Sequence, residues 1–205
     1  LKCISKKEKQ KLSLLLLKVK NNLINEPQRK IEIGTGTNQD MSENLVKYAY
    51  LGIGSNLGNR KKNIEKTKSE LIQHDIKILQ TSNFYETPSW PDIRYPKYLN
   101  IVLRVNTSFH QIKLLEICKK IEKSLGRKKA PKNSPRECDI DILDYANKQT
   151  NKDIKLPHPE MHKRNFVIFP LFELNKNWVH PISQQNIKKI ILSLSNKDIR
   201  SIKLI

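Results

Sequence analysis

The chain has 205 residues, enough for one hydrophobic core and an appendage, and its 37% hydrophobic and 29% charged residues are typical of a soluble protein. It carries 39 basic and 20 acidic residues, so its net charge of +19 favours anionic partners such as nucleotides, nucleic acids or membrane surfaces. No apolar run is as long as a membrane span, and this excludes a membrane-spanning helix.

The high charge also has a simpler interpretation. Most of the basic residues are lysines, and Asn and Ile are also abundant, as compositional drift in a genome would produce. Lysines spread over the surface would then contribute solubility rather than a binding site. Arginine is scarce, so the rigid, bidentate guanidinium groups of Arg127, Arg136 and Arg164 are the more informative signal.

Residues 1–45 are rich in Lys, Asn and Gln around one short leucine run. We expect an extension or linker here, either largely disordered or the tail of a preceding domain, and a folded domain at residues 46–205. The chain begins with Leu rather than Met, so we expect it to be one portion of a longer polypeptide. Cys3, Cys118 and Cys138 form no disulfide or zinc pattern, which favours a reducing, cytoplasmic setting.

Hydrophobic periodicity predicts alternating strands and helices in the rest of the chain. Strands are predicted at residues 47–53, 76–85, 98–105 and from 139 onwards. Helices are predicted between them, at residues 60–73 and 110–125. Asn59 is placed to cap the first helix, and Gly126 to end the second. The order β-α-β-β-α-β predicts an α+β, ferredoxin-like antiparallel sheet with two helices packed on one face.

Smaller features complete this prediction. The buried side of the first helix is predicted to consist of Ile64, Thr67, Leu71 and Ile72. C-terminal additions are predicted as a helical segment at 161–174 on both sides of Pro170, a helix at 186–194 and a closing strand at 199–205. The glycines at 52, 54 and 58 do not fit a dinucleotide-binding loop, and a tight strand-to-helix turn is the better interpretation.

The strand that begins at Asp139 alternates carboxylates with isoleucines. Asp139 and Asp141 therefore point to one face of the sheet, and Ile140 and Ile142 to the other. Two like charges about 4 Å apart repel by roughly 1 to 4 kcal/mol, and a divalent cation removes this cost. Mg²⁺ typically takes one or two carboxylates together with phosphate oxygens of a substrate.

A loop crowded with cations precedes this strand and contains Arg127, Lys128, Lys129, Lys132 and Arg136. Cations beside a metal-binding carboxylate pair are typical of a site that handles a polyphosphate. The simpler alternative is a surface strand with solvated Asp residues beside a basic loop.

Two further features carry candidate chemistry. His158 lies between two prolines and close to Arg164, where it either caps the backbone of a turn or is held beside a phosphate. Asn100 lies in a predicted central strand, where Asn is disfavoured, and its amide suits a flat heterocycle with mixed donors and acceptors. The aromatic candidates to stack on such a ring are Phe84, Tyr85, Tyr98 and Phe166, of which we expect at least two to be ordinary core residues.

From Tyr48 to Ile205 the chain resembles the 6-hydroxymethyl-7,8-dihydropterin pyrophosphokinase family of folate biosynthesis. The matching motifs are GSNLG at 54–58, FYETP at 84–88, YLN at 98–100, GR at 126–127, PR at 135–136, DIDIL at 139–143, PHP at 157–159, Arg164, Phe166 and PL at 170–171. Their order and spacing agree throughout, and together they are far more specific than any one of them.

The resemblance implies a reaction between two small substrates. The pterin hydroxymethyl oxygen attacks the β-phosphorus of ATP, pyrophosphate is transferred whole, and AMP leaves. Two Mg²⁺ ions, held by Asp139 and Asp141, bridge the triphosphate. Such a transfer needs alignment and charge neutralisation, so no protein nucleophile is expected. Asp141 is the candidate to accept the proton of the substrate hydroxyl.

The resemblance also implies which residues form the site. The catalytic residues are Arg127, Arg136, Asp139 and Asp141. The ATP site comprises Glu122, Arg127, Lys129, Arg136, Ile140, His158 and Arg164. The pterin site comprises Thr87, Pro88, Tyr98, Asn100 and Phe166, with Asn100 reading the edge of the pterin and Phe166 stacking on it. No nucleic-acid or membrane partner is expected, whereas fusion to another folate-pathway domain is common in this family and is considered for this chain.

The main alternative is a basic, ferredoxin-like nucleic-acid-binding domain without catalysis. It would use the same frame, the high charge and aromatic residues on the sheet. The RNA-recognition signature is missing, however, and a carboxylate pair on a central strand would repel phosphate in the absence of metal. A second alternative is a non-catalytic relic, and the intact Asp139, Asp141, Arg136 and His158 argue against it.

Overall fold

The computed structural model describes residues 46–90, 92–127, 131 and 133–205. The predicted extension at residues 1–45 and the predicted phosphate contact of Lys129 lie outside these ranges. The domain boundary after residue 45 therefore stays a prediction. Within the described part of the chain, no helix has both the length and the apolar character that crossing a membrane requires.

One antiparallel sheet forms the centre of the domain. Its strands are β1 (Lys47–Ser55), β2 (Lys77–Thr81), β3 (Tyr85–Thr87), β4 (Tyr98–Thr107), β5 (Asp139–Tyr145) and β6 (Lys203–Leu204). They lie in the order β5-β1-β4-β3-β6, and β2 pairs separately with β4. The helices α1 (Arg60–Gln73) and α2 (Gln111–Ser124) connect them in the order β-α-β-β-α-β, which confirms the predicted α+β, ferredoxin-like arrangement.

Local signals in the sequence set the ends of both helices. The side chain of Asn59 accepts a hydrogen bond from the backbone N–H of Lys62 at 3.0 Å and so caps α1, as predicted. Gly126 follows α2 with φ of +106°, a backbone conformation that glycine adopts without the steric cost of a Cβ. The chain therefore leaves α2 abruptly and enters the cationic loop.

The sheet separates two hydrophobic clusters. On one face, α1 and α2 pack against alternate strand residues such as Leu51 and Ile140. On the other face, α3 (Asn165–Leu174) packs against β4, and α4 (Ile187–Ser193) packs against α3. The sheet is therefore covered on both faces, by the two predicted helices on one and by the C-terminal addition on the other.

The predicted strand at residues 76–85 is wrong as a single element. The chain leaves the ladder between β2 and β3, where the hydroxyl of Ser82 accepts a hydrogen bond from the backbone N–H of Val102 at 2.9 Å. Beside it, the Glu173 carboxylate accepts a hydrogen bond from the Asn83 side-chain amide at 2.6 Å. The Asn83 backbone N–H also donates to Glu173 Oε1, at 3.0 Å, rather than to a neighbouring strand, although the Ser82 backbone N–H still donates to the Val102 carbonyl at 3.0 Å.

The C-terminal predictions hold in part. A 3₁₀ turn (Met161–Lys163) precedes α3, and α3 continues on both sides of Pro170 as predicted. The closing strand predicted at 199–205 is wrong over most of its length, because α5 (Asn196–Ser201) occupies its first part and only β6 is extended. The hydroxyl of Ser195 accepts a hydrogen bond from the backbone N–H of Asp198 at 3.1 Å and begins α5.

The predicted buried side of α1 requires one correction. Ile64, Thr67 and Leu71 are buried, whereas the Ile72 side chain is 59% exposed. Leu71 and Ile72 are adjacent and lie about 100° apart around the helix axis, so only one of them faces the sheet.

This difference predicts unequal effects on stability. Leu71 is 0% exposed, so Leu71→Ala removes buried methyl groups and leaves a cavity, and we expect the free energy of unfolding to fall by about 2–5 kcal/mol. Ile72→Ala, at the neighbouring exposed position, is the matched control and should cost less than about 1 kcal/mol. Urea denaturation measures both values, and equal losses would contradict the assignment of the buried side.

Candidate active site

Two glycines of β1, Gly52 and Gly54, form a strip without side chains on the sheet face covered by α3. Gly54 on β1 pairs with Asn100 on β4 and with Asp139 on β5. One step further along, Gly52 pairs with Asp141. Adjacent strands are about 4.8 Å apart, so Asn100 and Asp139 lie about 10 Å from one another across a floor of bare backbone. The two polar groups therefore flank a slot rather than contact each other.

Three arginines surround the two carboxylates of β5. Asp139 Oδ1 accepts hydrogen bonds from Arg127 Nη1 at 3.0 Å and from Arg136 Nη1 at 2.9 Å. Asp141 Oδ2 accepts one from Arg164 Nη1 at 3.1 Å. Burial, the largest influence, favours a lower pKa for Arg136, but the charge of Asp139, its hydrogen bond and the nearby Glu122 and Tyr98 together outweigh burial, so the pKa is raised. The Asp residues are thus held by guanidinium groups, and the alternative of a solvated surface strand is wrong.

Glu122 supports this cluster from the opposite side. It lies on α2 and is 1% exposed. Its Oε1 accepts a hydrogen bond from the backbone N–H of Ile140 at 2.8 Å and forms an ion pair with Arg127, while Oε2 pairs with Lys119 Nζ at 3.1 Å. The Ile140 side chain lies in the core under α1 and α2, so only its backbone is available to a ligand on the α3 face.

Asn56, which is not among the residues predicted from the sequence, joins three segments at the site. Its Oδ1 accepts a hydrogen bond from the backbone N–H of Arg136 at 2.8 Å, and its own backbone N–H donates to the Arg136 carbonyl at 3.1 Å. Its Nδ2 donates to the Pro96 carbonyl at 3.1 Å. Asn56 is 1% exposed, and its only signal in the sequence was its position inside the motif at 54–58.

His158 takes the first of the two roles that the sequence left open, the stabilisation of a turn, and the contact with a phosphate stays a prediction. Its Nδ1 accepts a hydrogen bond from the backbone N–H of Glu160 at 3.2 Å, so the ring stabilises the turn. Its Nε2 lies 3.8 Å from Asp141 Oδ2, so the other edge of the ring faces the carboxylates. Burial lowers the pKa of His158, Asp141 opposes that effect, and Arg164 reinforces it. The imidazole is therefore neutral at pH 7 and presents a hydrogen-bonding edge rather than a charge.

On the other side of the strip, the amide of Asn100 has a fixed orientation. Its Nδ2 donates a hydrogen bond to Thr87 Oγ1 at 3.1 Å, and a Cβ built on Gly54 would lie 3.0 Å from its Oδ1. The same Cβ would lie 3.3 Å from Tyr98 Cδ1. Burial raises the pKa of the Tyr98 hydroxyl. Pro88 follows Thr87 at the exposed edge. The sequence-predicted pterin residues of β3 and β4 are therefore adjacent in space.

The four aromatic candidates divide into two pairs. Phe84 packs under α1 and α2, on the face away from the carboxylates. Tyr85 is buried, and its hydroxyl donates to Glu173 Oε2 at 2.8 Å. These two are core residues, as expected for at least two of the set. Phe166, at the start of α3, lies with its ring centroid 5.8 Å from Arg164 Cζ, so it adjoins the arginine that holds Asp141.

The arrangement is suited to phosphate chemistry beside a flat ring. Clustered guanidinium groups bind phosphate oxygens, and paired carboxylates bind hard divalent cations. Among the described residues, no group of three His, Cys, Asp or Glu side chains is placed to hold a metal, so a cation here would need ligands from a substrate. The fold and the site together are typical of a class of proteins that handle phosphate groups.

Comparison with known proteins places the chain within that class. Residues 50–176 match the family model of 7,8-dihydro-6-hydroxymethylpterin-pyrophosphokinase (HPPK). The chain belongs to this family of ATP-using enzymes of folate biosynthesis, which confirms the resemblance seen in the sequence.

The relatives include both single enzymes and multidomain proteins. A pyrophosphokinase of Aquifex aeolicus is 40% identical over 141 residues, which are 68% of this chain and 88% of that protein. The folic acid synthesis protein fol1 of Pneumocystis carinii is 34% identical over 171 residues, 82% of this chain but 23% of the relative. The Plasmodium falciparum HPPK-DHPS A437G crystal structure with pteroate has a TM-score of 0.61 at 15% identity. The match spans 81% of this chain and 48% of the chain in that structure.

A substitution in the glycine strip tests whether the pterin binds beside Asn100 and Tyr98. A Cβ on Gly54 would meet Asn100 Oδ1 at 3.0 Å and Tyr98 Cδ1 at 3.3 Å. Because it displaces the residues that should hold the pterin, we expect Gly54→Ala to raise the pterin KM by about tenfold, a loss of about 1.4 kcal/mol.

The matched control is Gly52→Ala on the same strand and face. The three atoms nearest to its Cβ would all belong to the Leu143 side chain, the first at 3.3 Å, and this side chain can shift within the apolar cluster. We expect a pterin KM within about threefold of wild type, or about 0.7 kcal/mol. Steady-state kinetics with each substrate varied in turn measure both variants. A larger effect of Gly52→Ala on the pterin KM would contradict the position of the slot.

Proposed function

We propose that this pyrophosphokinase transfers pyrophosphate from ATP to the hydroxymethyl group of 6-hydroxymethyl-7,8-dihydropterin above the glycine strip, and that AMP is the second product. The observation that supports this most strongly is the spacing on the sheet. The carboxylates of β5 and their guanidinium partners lie on one side of the strip, and the oriented amide of Asn100 lies on the other side, two strands away from β5. A triphosphate at the first and a pterin ring at the second would meet above Gly54.

The carboxylates fit the requirements of Mg²⁺. No hydrogen bond from the described residues reaches Asp139 Oδ2 or Asp141 Oδ1, so each carboxylate keeps one oxygen available for a cation. We assign two Mg²⁺ ions to Asp139 and Asp141, as the family resemblance implies. When bound, Mg²⁺ neutralises the triphosphate and fixes it for in-line displacement.

The arginines supply the remaining positive charge. A guanidinium group has five N–H donors, so Arg127, Arg136 and Arg164 can each contact a phosphate while retaining or exchanging a carboxylate contact. Transfer of a pyrophosphoryl group develops negative charge on the phosphate oxygens, and fixed cations stabilise it without reorganisation. Lys129, outside the described residues, is proposed as a further phosphate contact.

Other residues position the nucleotide. Glu122 holds Arg127 and the start of β5, so its effect on ATP is exerted through both. The backbone of Ile140 and the neutral ring of His158 are proposed contacts of ATP. His158 is also suited to hold the segment that carries Arg164 against the carboxylates, because its two ring nitrogens face Glu160 and Asp141.

The pterin is proposed to bind between β4 and the start of α3. Asn100 Oδ1 would accept hydrogen bonds from the edge of the pterin, because its Nδ2 is occupied by Thr87. Phe166 would stack on the ring, while Tyr98 and Pro88 would form its walls. The proton of the substrate hydroxyl would pass to Asp141.

The nucleic-acid-binding alternative lacks the surface it would need. A ferredoxin-like domain that binds RNA stacks bases on an open sheet face. Here α1 and α2 cover one face, and α3 covers much of the other. The high charge alone therefore does not favour this alternative over the enzyme.

Two wider properties are also proposals. Membership in a fusion with another folate-pathway domain is supported by the multidomain relatives, of which the chain spans 23% in Pneumocystis carinii and 48% in the Plasmodium falciparum structure. A cytoplasmic location is consistent with Cys118 and Cys138, which are free and buried.

Product analysis tests the reaction directly. With Mg²⁺, ATP and 6-hydroxymethyl-7,8-dihydropterin, we expect one AMP for each pterin diphosphate, because attack at the β-phosphorus releases AMP. Anion-exchange chromatography of a time course measures both products, and a reaction without pterin is the control. ADP as the nucleotide product would rule out pyrophosphoryl transfer.

Substitution of Asp139 tests the metal assignment. Asp139→Asn keeps the size of the side chain but removes the charge, so we expect kcat to fall by at least about 100-fold, on the scale of losing one electrostatic stabiliser of a transition state. Asp153→Asn, at an exposed position, is the matched control and should retain wild-type kcat. Thermal unfolding should show that both variants fold. Wild-type turnover by Asp139→Asn would remove Asp139 from the catalytic set.

A further inference from the structure

A second cavity lies on the α3 face, at the end of the sheet away from the slot. Its volume is about 480 Å³, within the range of sites for small molecules. Its walls include Tyr48 and Tyr50 on β1, Arg104 on β4, and Asn175 and Trp178 after α3. Tyr50 and Gly54 lie four positions apart along β1, a distance of about 13 Å. No residue of the proposed active site lines the cavity.

Arg104 is the one charged residue among the described residues that line this cavity. Its Nε is buried and has no hydrogen-bond partner in the described part of the chain. Gln80, directly across from it on β2, has an equally buried and unpartnered Oε1. A buried N–H without an acceptor is unfavourable, because the water it has lost is not replaced, while the rest of the half-buried guanidinium group faces the cavity. Arg104 therefore has a charge that a ligand can compensate.

The nearest carboxylate on this row of the sheet does not compensate that charge. Asp144 on β5 and Arg104 on β4 pair with Tyr50 from opposite sides, so two inter-strand spacings separate Asp144 from Arg104. Its Oδ2 accepts a hydrogen bond from Trp178 Nε1 at 2.9 Å, and its Oδ1 accepts one from the Asn147 backbone N–H at 3.0 Å. No described carboxylate forms an ion pair with Arg104.

Three aromatic rings and five side-chain amides make up most of the remaining wall. Tyr48 and Tyr50 meet edge to face, with ring centroids 6.3 Å apart, and Arg104 Cζ lies 5.7 Å from the centroid of Tyr48. Hydrogen bonds fix both tyrosines, because Asn175 Nδ2 donates to the Tyr50 hydroxyl at 3.1 Å and Asn147 Nδ2 donates to the Tyr48 hydroxyl at 2.8 Å. The rings are thus held in place to contact a flat apolar body.

We propose that this cavity binds a small planar aromatic carboxylate, with the carboxylate on the Arg104 guanidinium and the ring against Tyr48, Tyr50 and Trp178. One cation with no opposing carboxylate favours a single negative charge. Fixed aromatic walls favour a flat ligand over a flexible one. The site is separate from the slot where ATP and pterin are proposed to bind, and it does not depend on the reaction.

The test is a titration of the full chain with 2-naphthoate, followed by two-dimensional ¹H–¹⁵N NMR. The indole N–H signal of Trp178 is the reporter, and the variant Trp90→Phe identifies it because the chain has two tryptophans. We expect saturable shifts at Trp178 and Arg104, with Gly54 and Asn100 unchanged. Neutral 2-naphthamide has the same shape and should bind at least about tenfold more weakly, because it lacks the charge.

Variants identify the binding group. Arg104→Gln should weaken 2-naphthoate binding at least about tenfold while 2-naphthamide binding stays the same. Arg200→Gln, which removes one positive charge at an exposed position, should bind 2-naphthoate as the wild type does. The proposal is overturned if wild type shows no saturable shift at Trp178, if the acid and the amide bind equally, or if Arg104→Gln binds 2-naphthoate as tightly as Arg200→Gln.

Discussion

Compensation of two adjacent carboxylates by three guanidinium groups organises the site. Asp139 and Asp141 point to the same face of β5 and repel one another, and arginines from separate segments offset that repulsion. Arg127 and Arg136 come from the segment before β5, whereas Arg164 lies at the start of α3. The same contacts therefore bring the cationic loop and α3 to the end of the sheet where ATP is proposed to bind.

Buried polar residues make this arrangement rigid. Asn56 ties the turn after β1 to the backbone of Arg136, and Glu122 ties α2 to Arg127 and to the start of β5. The glycine strip then leaves space beside the cluster, because Gly52 and Gly54 add no side chain of their own between the polar residues of β4 and β5. Fixed groups around an open slot need little reorganisation when substrates bind, which suits a reaction catalysed by alignment and charge.

Much of the fold followed from the sequence, because its signals are local. Alternation placed the carboxylates of β5 on one face, and Asn59 and Gly126 marked helix ends. The failures arose where tertiary contacts decided the outcome. The Ser82 hydroxyl accepts from the Val102 backbone N–H, and the Asn83 backbone N–H donates to the Glu173 carboxylate, so the strand breaks in two. Ile72 was predicted to be buried because periodicity does not fix the edge of an apolar face. Family motifs selected the residues of the proposed site, but not Asn56 as the link to Arg136.

The most direct test is a crystal structure with Mn²⁺ and a non-hydrolysable ATP analogue, measured with anomalous scattering. Mn²⁺ replaces Mg²⁺ at oxygen sites and can be located without ambiguity. We predict anomalous peaks at coordination distance from both Asp139 and Asp141, with arginine contacts to the phosphates. Phosphates bound elsewhere, with no peak at these carboxylates and the arginines still engaged by them, would contradict the proposed chemistry.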